Sequence, residues 1–280
     1  MYPILFTIGP FSLHTYGLAM AVAFGLGIWI AMKRADAHGF GAKYALDLSI
    51  MILIFSLVGA RFAYVVTHWD EFAQHPLDII SPVQHNGQIG IAGLVLLGGV
   101  AAAFATVYYY SRRHGHTFLS TTDLFIPSTA LGIAIGRVGC FFNGCCFGEP
   151  CDAAWCVVFP KDSLAGYIFP NTPVHPTQLY ETTAMLLLFG AMMFYDRHRH
   201  PEGRMTGIFL LAYGVWRFFN ESLRWYENEM IVFQTDAFRL TVSQVLSAIM
   251  VVCGAYLLWR SYRKGAARSN ASTLPSRVEP

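Results

Sequence analysis

The segment GRVGCFFNGCCFGEP, residues 136–150, gathers side chains that can do chemistry at the end of a long apolar run. Arg137 is followed within nine residues by three cysteines and Asn143. A guanidinium binds phosphate or carboxylate through two-point contacts, whereas cysteine sulfurs form disulfides or hold metals. The segment therefore predicts an anion site, a disulfide-braced loop or a metal site.

Two further arginines interrupt apolar segments, Arg61 in LVGARFAYVV and Arg217 in AYGVWRFFNESLR. Charge in the hydrocarbon layer costs from about 3 to more than 10 kcal/mol, so such residues usually face a cavity. The sequence offers no mid-span carboxylates of matching number, and we therefore expect an anionic partner, most simply the phosphate of a lipid headgroup. Glu221 lies four residues after Arg217 and can pair with it, either neutralising the guanidinium or holding its rotamer.

Other polar side chains precede apolar segments on the predicted outer side of the membrane, the side on which Arg137 and Arg217 are expected. A single His or Tyr there is an ordinary interfacial anchor, but their convergence with Arg137 and Arg217 favours a binding site. Paired glycines at Gly98–Gly99 allow close approach of a second helix or of a ligand. The polar set comprises His14, Tyr16, His175, Gln178, Tyr180 and Glu181.

The composition predicts an all-α polytopic membrane protein. Of 280 residues, 55% are hydrophobic and 13% are charged, against about 25% charged in soluble domains. Strand alternation is absent, and a bilayer requires every backbone group to be bonded internally. We expect one domain over 1–262, with an outward loop segment at 142–176, and a disordered tail at 263–280. The predicted spans are 14–33, 45–67, 89–110, 120–141, 178–195, 205–222 and 241–259.

Lysine and arginine set the expected orientation. Thirteen lie in one set of loops, and only Lys161, Arg224 and Arg239 lie in the opposite set. The positive-inside rule then places the amino terminus outside and the carboxy terminus in the cytoplasm. The basic residues are topology signals, so no nucleic-acid partner is expected. The amino-terminal segment also lacks the features of a cleavable signal peptide. The thirteen are Lys33, Arg34, Lys43, Arg112, Arg113, Arg197, Arg199, Arg204, Arg260, Arg263, Lys264, Arg268 and Arg277.

Five cysteines follow the spacing C-x4-C-C-x4-C-x4-C, which differs from common zinc modules. No nearby histidine completes a four-ligand set, so no metal or cofactor is predicted. An oxidising outer compartment favours at least one disulfide, and we expect Cys151–Cys156 to pin the loop. A metal site and reduced, buried cysteines remain alternatives, the latter being the interpretation for Cys253.

Taken in order, these pieces resemble the prolipoprotein diacylglyceryl transferase family over almost the whole chain. The resemblance implies an enzyme of the bacterial cytoplasmic membrane that moves diacylglycerol from phosphatidylglycerol to the lipobox cysteine of preproteins, without a metal. It implies that Arg137 and Arg217 hold the lipid phosphate, that Tyr16 is an essential tyrosine, and that Asn143 and Glu221 match signature positions. The matching motifs are SLHTYG, GARFAYV, GLVLLGG, GRVGCFFNGCCFG, HPTQLYE and GVWRFFNESLR.

The chain departs from the family pattern at three positions. The usual histidine before paired glycines is Leu97, or Ala92 in an alternative alignment, and neither can shuttle a proton. Cys140 replaces the first asparagine of the signature, and Cys145 replaces the glutamate after "NG". Either that histidine is dispensable in this chain, or another group takes its place as proton acceptor, such as His14, His175, Glu181 or Glu149.

Two other functions fit parts of this pattern. A diverged, non-catalytic relative that binds lipid or peptide would explain the missing histidine. A small-anion transporter would also use arginines, but the sequence has no repeated halves and no paired broken helices. The transferase is the function that the sequence favours.

Overall fold

A computed structural model describes residues 4–8, 11–74, 79, 95–198, 200–225, 231–234 and 239–272. The chain is helical over most of this length, as predicted. The helices are α1 (Thr15–Ala37), α2 (Ala42–Thr67), α3 (Trp69–Gln74), α4 (Leu96–Arg113), α5 (Phe118–Asn143), α6 (Leu164–Ile168), α7 (Thr177–Tyr195), α8 (Arg204–Ser222) and α9 (Val242–Ser272). The strands are β1 (Ile4–Ile8), β2 (Phe11–His14), β3 (Ile231–Gln234) and β4 (Arg239–Thr241).

Every predicted span coincides with a helix in the described residues, namely α1, α2, α4, α5, α7, α8 and α9. Four of these are long and apolar enough to cross a membrane by length and composition: Thr15–Ala37, Ala42–Thr67, Phe118–Asn143 and Val242–Arg263. Residues 89–94 of the predicted span 89–110 lie outside the described residues, and α4 begins at Leu96, after the extended residue Val95. The structure therefore confirms a mostly helical protein with several membrane-length helices.

Short strands were not predicted, and the purely all-α description is wrong in this respect. β1 pairs with β2 and β3 pairs with β4, each as a two-stranded antiparallel sheet. Segments of three to five residues are too short to show a clear two-residue alternation. Both hairpins lead directly into a helix, so they act as folded entrances to α1 and α9.

The chain divides into two compact units. The first comprises residues 1–30 and 123–280, and the second comprises residues 31–122. In the first unit, small and flexible side chains of α5, α7 and α8 form the main core around Ala134, Met185, Met205 and Phe209. Alanine allows close helix approach and methionine fills irregular gaps. This core supports the ends of the three helices that carry the candidate site.

The segment after α5 folds on its own small aromatic core. Phe147, Phe159, Ala165 and Val174 are buried there, and the Phe147 ring stacks on Trp225 with centroids 5.7 Å apart. Isolated bridges join Gly148 to Arg224, and Val174 to both Pro150 and Val157. The predicted loop 142–176 is thus an ordered cap, and its outward orientation stays a prediction.

The second unit is built on the packing of α2 against α4. Gly98 of α4 lies directly against Gly59 and Ala63 of α2. The next glycine, Gly99, faces the carbonyl of Ser56 and the side chain of Ala60. Small residues of this kind let two helix backbones approach closely in a membrane. The described contacts of Gly98 and Gly99 are therefore helix contacts, and their predicted part in substrate binding stays a prediction.

Two predictions at the carboxyl end differ from the structure. Helix α9 continues to Ser272, into the segment 263–280 that was expected to be disordered, where alanines favour helix; residues 273–280 lie outside the described residues. Cys253 was expected to be buried, but it is exposed on α9, because a membrane-length helix has a lipid-facing side that accepts apolar residues. The single-domain boundary at 262 stays a prediction.

Candidate active site

One carboxylate joins the two arginines that the sequence singled out. Oε2 of Glu181 lies 3.0 Å from Nε of Arg137 and 3.0 Å from Nη1 of Arg217. The Glu181 side chain is only 1% exposed, and a buried charge of this kind is stable only when it is paired. Arg137 of α5 and Arg217 of α8 therefore meet near the amino end of α7, at its fifth residue.

Neutral donors complete the bonding of Glu181. The hydroxyl of Tyr213 donates to Oε1 at 2.9 Å, and Nδ2 of Asn220 lies 3.4 Å from Oε2. Tyr213 lies four residues before Arg217 and Asn220 three residues after it, so α8 presents all three on one face. With both oxygens bonded to donors, Glu181 is a poor candidate for the proton acceptor.

A second buried carboxylate continues the network along α8. Oε2 of Glu221 lies 2.7 Å from Nη2 of Arg217 and 3.6 Å from Nη1 of Arg224. The hydroxyl of Thr241, the last residue of β4 and the residue before α9, donates to Oε1 at 3.1 Å. The predicted pairing of Arg217 with Glu221 is confirmed. Glu181 and Glu221, near the ends of the predicted spans 178–195 and 205–222, both pair with Arg217, so this arginine has protein partners in addition to any anionic ligand.

The two arginines differ in which guanidinium nitrogens their ion pairs leave available for a further ligand. Both terminal nitrogens of Arg217 contact carboxylates. Arg137 is paired through Nε, and its Nη1 and Nη2 make no hydrogen bond to a described residue. Its side chain is 18% exposed. The network therefore fixes Arg137 in place and leaves its two-nitrogen fork for an anion.

The turn after α5 is held by the first turn of α7. Gly144 and Cys146 both have left-handed backbone, with φ of 69° and 62°. The carbonyl of Cys145 accepts a 2.7 Å hydrogen bond from Nε2 of Gln178, and the carbonyl of Cys146 accepts one of 2.8 Å from Oγ1 of Thr177. A left-handed cysteine is uncommon and persists when its surroundings impose it. Gln178 is thus a buried anchor of this turn.

Three cysteine sulfurs come together at this turn. The Sγ atoms of Cys140, Cys145 and Cys146 lie within 4.8 Å of one another, and all three are free thiols. The thiol of Cys145 approaches the carbonyl of Cys140 at 3.7 Å. Hydrogen bonds with Cys140 and Cys145, and then the charges of Arg224 and Arg137, lower the pKa of the Cys146 thiol. Both arginine charges therefore act on the Cys146 sulfur.

The remaining cysteines of the loop confirm one prediction. Cys151 and Cys156 form a disulfide, and His175 lies beside it. Nδ1 of His175 is 3.2 Å from the hydroxyl of Tyr180, which also interacts with Trp155. His175 and Tyr180 thus pack at the rim of the cap.

Gly148 explains how closely the cap approaches α7 and α8. A Cβ atom at this position would lie 2.5 Å from the carbonyl oxygen of Leu223 and 2.6 Å from the Cβ of His175. Only glycine therefore fits between these two segments, and the signature glycine has a packing role.

The entrance of α1 reaches the same region. Tyr16 is 42% exposed, and its ring and backbone pack on Gly139, where a Cβ would lie 3.3 Å from Tyr16 Cδ2. Gly139 immediately precedes Cys140, so Tyr16 contacts α5 next to the cysteine cluster. Asn143, the last residue of α5, is exposed and lies two residues before Cys145. Exposed His14 ends β2, just before α1.

Arg61 belongs to the second unit and has partners there. Its Nε donates to the carbonyl of Ile79 at 3.2 Å, and its guanidinium lies 5.0 Å from the centroid of the Phe72 ring. The position that carries the family histidine is Leu97, exposed on α4, or Ala92, which lies outside the described residues. Neither supplies a proton acceptor.

Sequence reasoning missed Tyr213, Asn220 and Thr241 as partners of the carboxylates. It placed Glu181 among the converging polar residues and among the proton acceptors, but not as the shared partner of both arginines. The spacing of Tyr213 and Asn220 around Arg217 was the available signal, because residues three and four apart share a helix face. Thr241 gave no such signal, since its contact with Glu221 depends on how α9 packs on α8.

A family model described as "Prolipoprotein diacylglyceryl transferase" matches residues 3–260. The chain belongs to the prolipoprotein diacylglyceryl transferase family. Similar proteins named "Phosphatidylglycerol--prolipoprotein diacylglyceryl transferase" include one from Pseudoalteromonas atlantica, 33% identical over 95% of this chain and 92% of that protein. Others come from Vibrio vulnificus, 30% identical over 94% and 92%, and Aeromonas hydrophila, 29% identical over 94% and 91%.

Membership of the prolipoprotein diacylglyceryl transferase family gives the arginine–glutamate network a chemical context. Nearly the whole chain takes part in the match, so both units and the cap belong to the family fold. The network lies on α5, α7 and α8, which are all inside the matched range.

Proposed function

We propose that this chain transfers the diacylglyceryl group of phosphatidylglycerol to the lipobox cysteine of prolipoproteins, releasing glycerol-1-phosphate. The observation that carries the proposal is the meeting of Arg137 and Arg217 on one buried oxygen of Glu181. Three guanidiniums, of Arg137, Arg217 and Arg224, pair with two carboxylates, of Glu181 and Glu221. The network thus keeps one net positive charge, which suits a phosphodiester anion. The relatives' names give the same donor and acceptor.

The geometry supports different tasks for the two arginines. Arg137 offers its terminal nitrogens to the lipid phosphate, and Arg217 acts as a positioning residue, because Glu181 and Glu221 bind its terminal nitrogens. As the glycerol carbon–oxygen bond breaks, negative charge grows on the leaving phosphate. A preorganised donor at that point contributes about 3 kcal/mol or more. Glu221 keeps Arg217 in the rotamer that reaches Glu181.

The acceptor peptide needs a thiolate, because the thiol form of cysteine is a weak nucleophile. Tyr16 packs on Gly139, and Asn143 ends α5 between Cys140 and Cys145, so both are proposed to lie where a peptide thiol approaches the lipid. Four further residues are proposed to line the part of the site that receives the acceptor peptide, or to support that part. They are His14, His175, Gln178 and Tyr180. The second unit is proposed to contribute to substrate binding through its lipid-facing helices. The residues concerned are Arg61, Gly98 and Gly99.

We further propose seven membrane spans, an outward amino terminus and a cytoplasmic carboxy terminus, in a bacterial cytoplasmic membrane. The distribution of lysine and arginine supports this orientation. The cap and both arginine-bearing helix ends then face the outer leaflet, where phosphatidylglycerol and a secreted preprotein would both arrive.

A gel-shift lipidation assay tests the proposal directly. Purified full-length protein is incubated with phosphatidylglycerol and a lipobox peptide, and the peptide should gain the mobility of a diacylglyceryl product. A peptide whose lipobox cysteine is replaced by serine is the matched control and should not shift. No shift with folded protein would contradict the proposal.

A non-catalytic lipid- or peptide-binding relative is the second candidate. It is favoured by Leu97 or Ala92 at the histidine position and by Cys140 and Cys145 in the signature. Complementation of a transferase-depleted bacterium separates the two functions. Growth supported by a well-expressed copy favours the enzyme, and failure of such a copy favours the binding protein.

A further inference from the structure

The cysteine cluster of Cys140, Cys145 and Cys146 is not used by the arginine–glutamate network. Its three Sγ atoms, from the last turn of α5 and the turn that follows, lie within 4.8 Å of one another. All three are free thiols, whereas Cys151 and Cys156 are joined to each other. The spacing along the chain did not indicate this grouping, which depends on the left-handed backbone at Cys146.

The dimensions of the cluster fit a thiophilic metal ion. Zinc–sulfur bonds of about 2.3 Å in a tetrahedral site place sulfurs about 3.8 Å apart. The separations in the cluster need to shorten by at most about 1 Å to reach this spacing, which side-chain rotation can supply. Three thiolates select zinc over magnesium or calcium, which prefer oxygen. Three protein ligands with a fourth position open is the pattern of catalytic rather than structural zinc.

The surroundings hold the ligands in place. Gln178 and Thr177 are each 1% exposed, and they bond the carbonyls of Cys145 and Cys146. Such outer contacts orient metal ligands and are a normal part of a metal site. The turn that carries Cys145 and Cys146 is therefore fixed by α7.

The local charge also suits the bound metal. Zinc with three thiolates carries one net negative charge. Arg137 lies one helical turn before Cys140 on α5, and Arg224 is bridged to Gly148, two residues after Cys146. Their positive charge stabilises the thiolates. Near the end of α5, Arg137 would thus contact the lipid phosphate and lie close to the metal. The donor lipid and the metal would then be close together.

We propose that Cys140, Cys145 and Cys146 bind a zinc ion whose fourth position takes the thiolate of the acceptor peptide. This inference rests on the proposed transferase function, and it answers the lack of a histidine base. A metal-bound thiol is deprotonated outright, and its proton goes to water. The sulfur then forms a bond to the glycerol carbon as the carbon–oxygen bond to phosphate breaks, and that electron pair leaves with glycerol-1-phosphate. Zinc keeps its charge throughout.

Metal analysis of the purified full chain tests the site independently of activity. Protein is prepared in detergent without chelators, and zinc is measured by mass spectrometry. We expect about one zinc per chain. The variant C140S/C146S should lose at least about tenfold in bound zinc, whereas C253S, in which an exposed cysteine on another helix is replaced, should retain it. Cobalt substitution should give sulfur-to-cobalt charge-transfer absorption in the wild type and in C253S only.

Thiol titration gives the second readout. Zinc-loaded protein should protect three thiols from alkylation until a chelator is added. Wild-type protein without zinc, with three reactive thiols or with a disulfide among them, would overturn the proposal. If lipid transfer proceeds in such protein, the zinc site fails and the transferase function stands. If zinc is bound but no peptide is lipidated, the metal site stands and the transferase function fails.

Discussion

Nε of Arg137 lies 3.0 Å from Oε2 of Glu181, the same oxygen that Nη1 of Arg217 contacts at 3.0 Å. Arginines from α5 and α8 are thereby fixed by one residue of α7. The site depends on how three helix ends meet, and each contact can be altered separately.

Glu181→Gln should weaken both ion pairs while keeping the size of the side chain. Two guanidiniums would then face each other with no carboxylate between them. We expect transfer to fall by about thirtyfold, which corresponds to about 2 kcal/mol, and the unfolding temperature to fall as well. Glu202→Gln, at an exposed glutamate, is the matched control. Equal activity of the two variants in the gel-shift assay would show that Glu181 is not needed for transfer.

Lysine substitutions separate the tasks of the two arginines. Arg137→Lys keeps one charge but lacks the two-nitrogen fork, so the KM for phosphatidylglycerol should rise by about tenfold with little change in unfolding temperature. Arg217→Lys cannot bridge Glu181 and Glu221, so it should also destabilise the protein, by about 1–3 kcal/mol. Lipid titrations and thermal unfolding of both variants give the measurement. A loss of stability confined to Arg137→Lys would reverse these assignments.

The amino end of α8 is capped by a residue of another helix, which gives a test of the scaffold. Asp123 of α5 accepts from the backbone N–H of Gly203 at 2.6 Å and from that of Thr206 at 2.8 Å. Asp123→Asn turns one acceptor into a donor and should cost about 1–3 kcal/mol of unfolding free energy. The exposed residue Asp152 provides the control Asp152→Asn, which should unfold like wild type.

Helix packing in the second unit predicts a glycine effect. A methyl group at Gly98 would overlap Ala63 and the backbone of Gly59, so Gly98→Ala should destabilise by about 1–3 kcal/mol. Gly190 of α7 has no atom within 4 Å of an added Cβ, and Gly190→Ala should be neutral or slightly stabilising. Thermal unfolding that leaves Gly98→Ala unchanged would contradict the close contact of α2 with α4.

Much of this arrangement could be predicted from sequence because the bilayer restricts the choices. Apolar segments of about 20 residues must become helices, and each predicted span coincides with one in the described residues. Charges in such segments mark functional positions, which led to Arg137 and Arg217. The disulfide between Cys151 and Cys156 also followed from the expected outer compartment.

What could not be predicted depends on packing between distant segments. Glu181 and Arg217 are 36 residues apart, and only the docking of α7 on α8 makes Glu181 the shared partner. The cysteine cluster requires a left-handed turn at Cys146, a conformation that its residue type disfavours. The strands of the hairpins before α1 and α9 are too short to show a clear two-residue alternation of apolar and polar side chains.

The central claim is that Arg137 holds the lipid phosphate, with Arg217 positioned behind it. The most direct test is lipidation of a lipobox peptide by purified Arg137→Ala and Arg217→Ala variants, across a range of phosphatidylglycerol concentrations. Arg113→Ala, at an exposed arginine of α4, is the control. We predict that both site variants accumulate in the membrane but transfer less than about 1% of the wild-type amount, whereas Arg113→Ala is unchanged. Normal lipidation by both site variants would contradict the account.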